Sequence, residues 1–274
     1  MKHGMTLKLV VFSAFFLLAT TARALTYGTW SGPVTIQSGQ AMGDNPDSAI
    51  DLTLDSQNQL HAIWATTTGV YYSRLVTGIW TMPELLATGA YVNVRISANR
   101  SGKLAAMWSD GNSYNGFLRL SNDGTHLGSF TRIFTAGMGS GGYCSGVDIS
   151  EGGTVFSVCG DYTYCSLDYW TGSAWSTVAG KSFQRFSNTY PIGWGRLDVG
   201  IGPDGRIYVP DVWPRGSAYC RVSIYTPSTS TWVDQGLSGP SGGMSAVPGY
   251  SATRVAFNSF GQPVVDPHAV AAVL

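Results

Sequence analysis

Five segments of this chain repeat one shape: an alternating strand, a tight polar turn and a second strand. They are "AIDLTLDSQNQLHAIW" (49–64), "NVRISANRSGKLAAMW" (93–108), "GVDISEGGTVFSVCG" (146–160), "RLDVGIGPDGRIYVPDVW" (196–213) and "ATRVAFNSFGQPVVDP" (252–267). The turns at Asn58, Gly102, Gly205 and Gly261 align, and the third copy reads as a turn two residues shorter. An even deletion leaves each side chain on its own face of the strand. A third strand follows each pair, and then a fourth that often starts at Trp, as in "GVYYSRLVTGIWTMPELL" (69–86) and "YCSLDYWTGSAWSTV" (164–178). Four antiparallel strands recurring every 44 to 56 residues predict propeller blades, because no single repeat can bury both of its faces alone.

The ends of the chain fit that prediction. The fifth repeat ends in "PHAVAAVL", enough for a third strand only. The strand Thr29 to Gln37 has no partner of its own, and Trp30-Ser31-Gly32-Pro33 matches Trp80-Thr81-Met82-Pro83 in spacing and type. The sequence therefore predicts an all-β fold, a five-bladed β-propeller of four-stranded antiparallel blades. Its ring closes when the N-terminal strand completes the C-terminal blade and leaves no exposed edge.

Residues 1–24 have the layout of a signal peptide: Lys2, His3 and Lys8, a short apolar run "LVVFSAFFLLA", then Ala22-Arg23-Ala24. They are excluded from the fold, so 25–274 forms one propeller domain, secreted to the periplasm or outside the cell. No later stretch reaches the roughly 20 apolar residues of a membrane helix. Only 12% of the residues are charged, with Lys+Arg and Asp+Glu at 16 each, so there is no basic field for nucleic acid. Gly (35), Tyr (14) and Trp (9) are abundant, as in exported all-β domains. An exported chain permits disulfides. A hairpin turning at Glu151-Gly152 sets Cys144 opposite Cys159, with free thiols the alternative.

The repeats "LTLDSQNQLHAIW…GVYYSRLVTGIWT" and "LDYWTGSAWST" resemble those of secreted bacterial sialidase-like propellers of the BNR or Asp-box type. The Asp-box, S-x-D-x-G-x-T-W, is degenerate here. Ser73 to Trp80 keeps the Ser and the Trp, Asp168 to Trp175 keeps Gly172 and Trp175, and "SNDGT" (121–125) has shifted spacing. The resemblance implies architecture. The arginine triad and Tyr/Glu nucleophile of sialidases find no residue-by-residue match.

Aligned on their turns, the first strands share a column of charge: Asp51, Arg95, Asp148, Asp198 and Arg254. Apolar neighbours flank it, so the charges share one face of each strand. First strands lie nearest a propeller's axis, which sends these charges toward a central channel or the seams between sheets. Buried ions must be paired or stay wet. One reading is therefore a structural salt-bridge ring. Four residues earlier stand Asp47, Tyr91, Cys144 with Tyr143 beside it, Trp194 and Tyr250, in long Gly-rich loops gathered on one face. Aromatic rings above Arg95, Arg254 and carboxylates suit a sugar, whose apolar face stacks while its hydroxyls hydrogen-bond.

The leading expectation is a monomeric, lectin-like glycan-binding propeller with no cofactor and no metal. The alternatives are a glycoside hydrolase and a non-catalytic structural or protein-binding scaffold. In the hydrolase, Asp148, Asp198 and Asp51 would serve as catalytic carboxylates, with the adjacent pair Asp148 and Asp198 splitting their pKa values. Five-bladed arabinanases and levansucrases present a Glu acid that has no match here, which weighs against catalysis. His61, His126 and His268 are too scattered for zinc, "DGNSYNG" (110–116) lacks an EF-hand's terminal Glu, and Asn99-Arg100-Ser101 forms a glycosylation sequon.

Overall fold

The computed structural model describes residues 36, 49–110, 116–121, 128–132, 143–160, 164–184, 197–213, 219–236, 254–257 and 261–266. These form antiparallel sheets, with no helix among the described residues. The first sheet contains β1 (Ile50–Leu54), β2 (Leu60–Ala65), β3 (Gly69–Val76) and β4 (Ile79–Trp80), with β5 (Glu84–Thr88) also on β3. The second contains β6 (Tyr91–Ala98), β7 (Leu104–Asp110), β8 (Gly116–Ser121) and β9 (Gly128–Arg132). The third contains β10 (Tyr143–Ile149), β11 (Val155–Gly160), β12 (Tyr164–Trp170) and β13 (Trp175–Thr177), with β14 (Phe183–Gln184) on β12. The fourth contains β15 (Gly200–Ile201), β16 (Ile207–Trp213), β17 (Tyr219–Thr226) and β18 (Thr231–Gly236). In the fifth the described strands are β19 (Arg254–Phe257) and β20 (Pro263–Asp266). The pattern is propeller-like. The N-terminal strand expected at Thr29 to Gln37 falls, apart from Ile36, outside the described residues.

Side-chain alternation explains the stacking of sheets. In β7, Leu104, Ala106 and Trp108 pack against Ile63, Val70 and Tyr72 of the first sheet, while Ala105 and Met107 pack against Val147, Val155 and Cys159 of the third. A strand buried on both faces needs apolar residues at every position, and the run "LAAMW" supplies them. A third layer joins Phe156, Val158 and Leu167 to Leu197, Val199 and Val209, and a fourth joins Tyr208 to Val255 and Phe257. The hydrophobic core is thus divided among four inter-sheet seams. Each fully buried aliphatic side chain contributes about 1.5–3 kcal/mol there.

The turns between first and second strands share one geometry. Asp55, Asn99, Ser150 and Gly202 each open a five-residue turn in which the backbone N–H of the opening residue bonds the carbonyl four residues on, at 2.9–3.0 Å. The fourth residue of each turn has positive φ: Asn58 (60°), Gly102 (83°), Gly153 (89°) and Gly205 (76°), matched by Gly261 (74°) in the fifth sheet. That left-handed conformation suits Gly and Asn, which is why the column is visible in the sequence. The opening side chains hold the turn. Asp55 Oδ1 accepts from the amides of Gln57 and Gln59, both at 2.8 Å, and Ser150 Oγ accepts from the Thr154 amide at 3.0 Å.

The third turn is not shorter than the others, and this corrects the alignment. Ile149 pairs with Val155 across residues 150–154, just as Leu54 pairs with Leu60 across 55–59. Counted back four residues from the turn opener, the column reads Asp51, Arg95, Gly146, Asp198 and Arg254. Asp148 stands two residues closer to the turn, level with Ser97. The two-residue offset keeps it on the expected face, so alternation alone hides the shift.

Candidate functional site

Asp51, Arg95 and Asp198 of the column, and Asp148 beside it, each bond across a seam to the next sheet in the chain. Asp51 on β1 accepts the Ile96 amide of the second sheet at 2.9 Å through Oδ2. Arg95 on β6 donates from Nε to the Ser145 carbonyl of the third sheet at 3.0 Å, and from Nη1 to the carbonyl of Val94 at 2.8 Å. Asp148 on β10 accepts the Ile201 amide of the fourth sheet at 2.7 Å through Oδ2. Asp198, just ahead of β15, accepts the Val255 amide of the fifth sheet at 3.1 Å. Each of the first four sheets thus reaches into the inner strand of the next one in the chain. Asp51, Arg95 and Asp198 are buried, and hydrogen bonds to backbone dipoles offset part of the cost of placing charge there.

Asp148 has the most demanding surroundings. Its Oδ1 accepts from the Ser97 hydroxyl of the second sheet at 2.5 Å and from the Ile149 amide at 2.8 Å, in addition to the Ile201 contact on Oδ2. Burial pushes its carboxyl up to about 6. The three hydrogen bonds pull in the opposite direction, and the nearby charge of Asp198 adds to the rise. Gly146, at the column position proper, lies against the fourth sheet: a Cβ there would stand 2.8 Å from the Val199 nitrogen and 2.9 Å from the Asp198 Cα. Backbone occupies the space where the other sheets place a side chain.

The loop-bearing ends of the sheets hold a second column, nine residues beyond each turn opener. It reads Trp64, Trp108, Cys159 and Asp211, opposite Tyr71, Phe117, Ser166 and Arg221 on the third strands. Trp64 stacks on Tyr71 with ring centroids 6.0 Å apart, and Trp108 on Phe117 at 6.0 Å. In the third sheet a disulfide joins Cys144 to Cys159 directly across β10 and β11, while Cys165 is buried. The Trp stacks escaped the sequence reading, although the signal was present in "HAIW" and "AAMW".

Tyr91 lies among these aromatics. It meets Trp108 and Phe117 edge-on at 6.3 and 5.6 Å, and its hydroxyl donates to the Thr88 carbonyl at 3.1 Å. A bulge between Val92 and Arg95 adds one residue to β6, which turns Tyr91 to the face opposite Arg95. A similar bulge between Cys144 and Gly146 follows Tyr143, whose backbone pairs with Gly160. Arg254 pairs across the fifth sheet with Asp266. Asp47, Trp194 and Tyr250 lie outside the described residues, as do His126 and His268.

Other polar candidates have local roles. His61 is buried, with Nδ1 2.8 Å from the Tyr72 hydroxyl and Nε2 3.2 Å from Asp55 Oδ2. Burial lowers its pKa against the opposing pull of Asp55. Asn99, the sequon residue, is buried as a turn cap. Its Oδ1 accepts from Ser101 and Lys103 amides at 3.1 and 2.9 Å, and its Nδ2 donates to the Ser150 carbonyl at 2.7 Å. In the degenerate Asp-boxes, buried Ser73 donates to the Thr81 carbonyl at 2.8 Å and buried Asp168 accepts from Ser166 at 2.9 Å, both bonds tying strands and turns. Among the described residues no group of three or more His, Cys, Asp or Glu side chains is arranged to hold a metal ion. Nor is any helix among them long and apolar enough to cross a membrane.

No protein-family model matches the sequence, and no curated protein matches it either. Solved structures do. A protein of unknown function from Dyadobacter fermentans superposes with a TM-score of 0.53 at 8% identity, over 82% of this chain and 77% of that one. A mutant of AofleA from Arthrobotrys oligospora with three arginine-to-alanine substitutions gives 0.52 at 13% identity, over 81% and 66%. The Hadza microbial sialidase Hz136 gives 0.53 at 10% identity, over 82% of this chain but 54% of the sialidase. At these identities the likeness is one of fold. The chain has a sialidase-like, propeller-like β fold.

Proposed function

We propose that the chain is an exported, five-bladed β-propeller that binds carbohydrate without turning it over. One observation carries the non-catalytic half of this reading: Asp51, Asp148 and Asp198 all direct a carboxylate oxygen at a backbone amide of the neighbouring sheet. A general acid, base or nucleophile needs an oxygen presented to substrate, and these three carboxylates serve the seams. The carbohydrate half draws on the fold likeness to a sialidase and on the half-buried rings of Tyr71, Tyr91 and Phe117, which pack on the buried Trp64 and Trp108 at the loop ends of the sheets. Sugar contacts are assigned to Asp47, Tyr143, Trp194 and Tyr250, with Arg254 beneath.

Closure into a ring, with residues 25–274 as one domain, is part of the proposal. The β1 residues Ile50, Leu52 and Leu54 are 43, 43 and 57% exposed, whereas their counterparts Val94, Ile96, Val147 and Ile149 are buried beneath the preceding sheet. A fifth sheet packed on β1 as the first sheet packs on β6 would cover that row.

The test is a glycan array on the protein from residue 25 onward, paired with a sugar-release assay on plant and bacterial polysaccharides. Binding that is lost in Trp194→Ala or Tyr250→Ala, with no release of sugar, supports the proposal. Release that disappears in Asp148→Asn or Asp198→Asn would establish a glycoside hydrolase instead. A second reading, a protein-binding scaffold, is favoured by Ile79 and Met82, which stand 72 and 90% exposed on the outer hairpin of the first sheet. An array with no hits would select it.

A further inference from the structure

The outermost strand is broken in two in the first and third sheets. β4 and β5 both pair with β3, and β13 and β14 both pair with β12. At each break a charged side chain crosses to the next sheet. Glu84, the first residue of β5, meets Arg119 on β8 of the second sheet at 3.9 Å. Lys181, between β13 and β14, pairs with Asp234 on β18 of the fourth sheet. We propose that these two pairs are ionic latches, which fasten the outer rims of two seams and release them as salt rises, while the inner contacts hold.

The Lys181 latch is the stronger of the two. Residues 179–181 lie outside any strand. Before them the Val178 amide bonds the Leu167 carbonyl at 2.8 Å, and after them Phe183 pairs with Cys165. Between those points the fourth sheet grips the chain. The Trp232 indole donates to the Ala179 carbonyl at 3.0 Å, and Lys181 Nζ stands 5.7 Å from the Trp232 ring centroid and 6.0 Å from that of Phe183. At that range the ring faces attract the ammonium. Asp234 is itself steadied by the Ser223 hydroxyl, which donates to Oδ1 at 2.9 Å. The Lys181 side chain is 12% exposed and that of Asp234 43%, so the pair is partly shielded from water. Such a pair exceeds a freely solvated one, whose geometry costs side-chain entropy that water does not return. Glu84 and Arg119 are further apart and hold their rim less firmly.

Salt separates these rim contacts from the inner ones. Attraction between two exposed charges is screened over about 30 Å at 0.01 M salt and about 3 Å at 1 M. The inner bonds of Asp51, Arg95 and Asp198 run from a buried charge to a backbone group of the next sheet, and buried partners are screened much less. In the chain, β5 leads to Tyr91 and β14 leads to residues 185–196, which include Trp194. Each latch therefore holds the stem of a connection from one sheet to the next.

The experiment is amide hydrogen exchange of the full chain at 0.01 and 1 M NaCl, each rate taken relative to the unfolded chain at the same salt. Exchange in residues 178–184 should quicken about fivefold at high salt and in residues 84–88 about twofold, with smaller changes in 94–98 and 146–149. Lys181→Met keeps an apolar stem beside Trp232 and Phe183, and Asp234→Asn keeps an acceptor for Ser223. Each should make 178–184 exchange fast at both salts, and the double variant should exchange no faster than either single one. Rates in wild-type 178–184 that are equal at both salts, or additive effects of the two substitutions, would overturn the latches.

Discussion

Replacing Gly146 with Ala tests whether the seam between the third and fourth sheets is as tight as it looks. The new methyl would sit 2.8 Å from the Val199 nitrogen, 2.9 Å from the Asp198 Cα and 3.0 Å from the Asp198 carbonyl carbon. Ordinary contacts of this kind need about 3.4–4 Å, so the two sheets must part by roughly half an ångström or more. All three obstructing atoms are backbone, and no rotamer change can relieve them. A separation of that size forfeits a quarter to a half of each dispersion contact in the layer around Val158, Leu197 and Val199. It also drags Asp198 away from the Val255 amide it holds at 3.1 Å. Overpacking of a filled core costs about 1–3 kcal/mol, and the strained Asp198 bond places this site at the upper end. The expected loss is about 3 kcal/mol, or roughly 6–12 °C in Tm. Gly152→Ala is the control. It lies in the same sheet, is exposed, and its added methyl meets only Ser150 Oγ at 3.9 Å, so its Tm should move by no more than about 1–2 °C. Equal melting temperatures for the two variants would refute the close-seam argument.

Two further outcomes follow from bonds across and beside that seam. The Cys144–Cys159 disulfide closes a 15-residue interval, so its removal in the Cys144→Ser/Cys159→Ser double variant should cost about 3 kcal/mol in urea unfolding; an unchanged midpoint would mean that the bridge constrains nothing. Asn99→Ala removes two caps on its own turn and one bond to the third sheet, for a loss of about 2 kcal/mol by the same assay. Asn99→Asp should recover the caps but not the bond to Ser150, and so fall between the two.

The parts of this fold that show in the sequence are those fixed by a single residue's own conformational preference. Asn58, Gly102, Gly205 and Gly261 mark the turns because each occupies a left-handed position. Alternation marks the strands because each face meets a different sheet. Two features break these rules. The bulges in β6 and β10 add a residue on one strand only, so Tyr91 cannot share the face that counting back from Arg95 assigns to it. The third turn carries adjacent glycines, and aligning Asp148 with the other charges conceals that Gly146 occupies the column. The seam contacts were less legible still. Bonds from Asp51, Arg95 and Asp198 end on backbone amides and carbonyls of the next sheet, groups that every residue carries and no sequence pattern marks.

That choice of partner explains why the column mixes acids with a base. The inner strand of a neighbouring sheet offers amides and carbonyls in alternation along its edge. Asp51 and Asp198 meet the amide one residue past the column position of the next sheet, at Ile96 and Val255. Arg95 meets the carbonyl one residue before it, at Ser145. A side chain at this position needs reach and polarity, and either sign will find a complementary backbone group. The arrangement Asp, Arg, Gly, Asp, Arg is therefore not bound to the strict alternation that mutual ion pairing around a ring would demand. Where Gly146 supplies no side chain, Asp148 takes over the forward contact from two residues away and gains Ser97 behind it, so that in the third sheet a single carboxyl is tied to both neighbours.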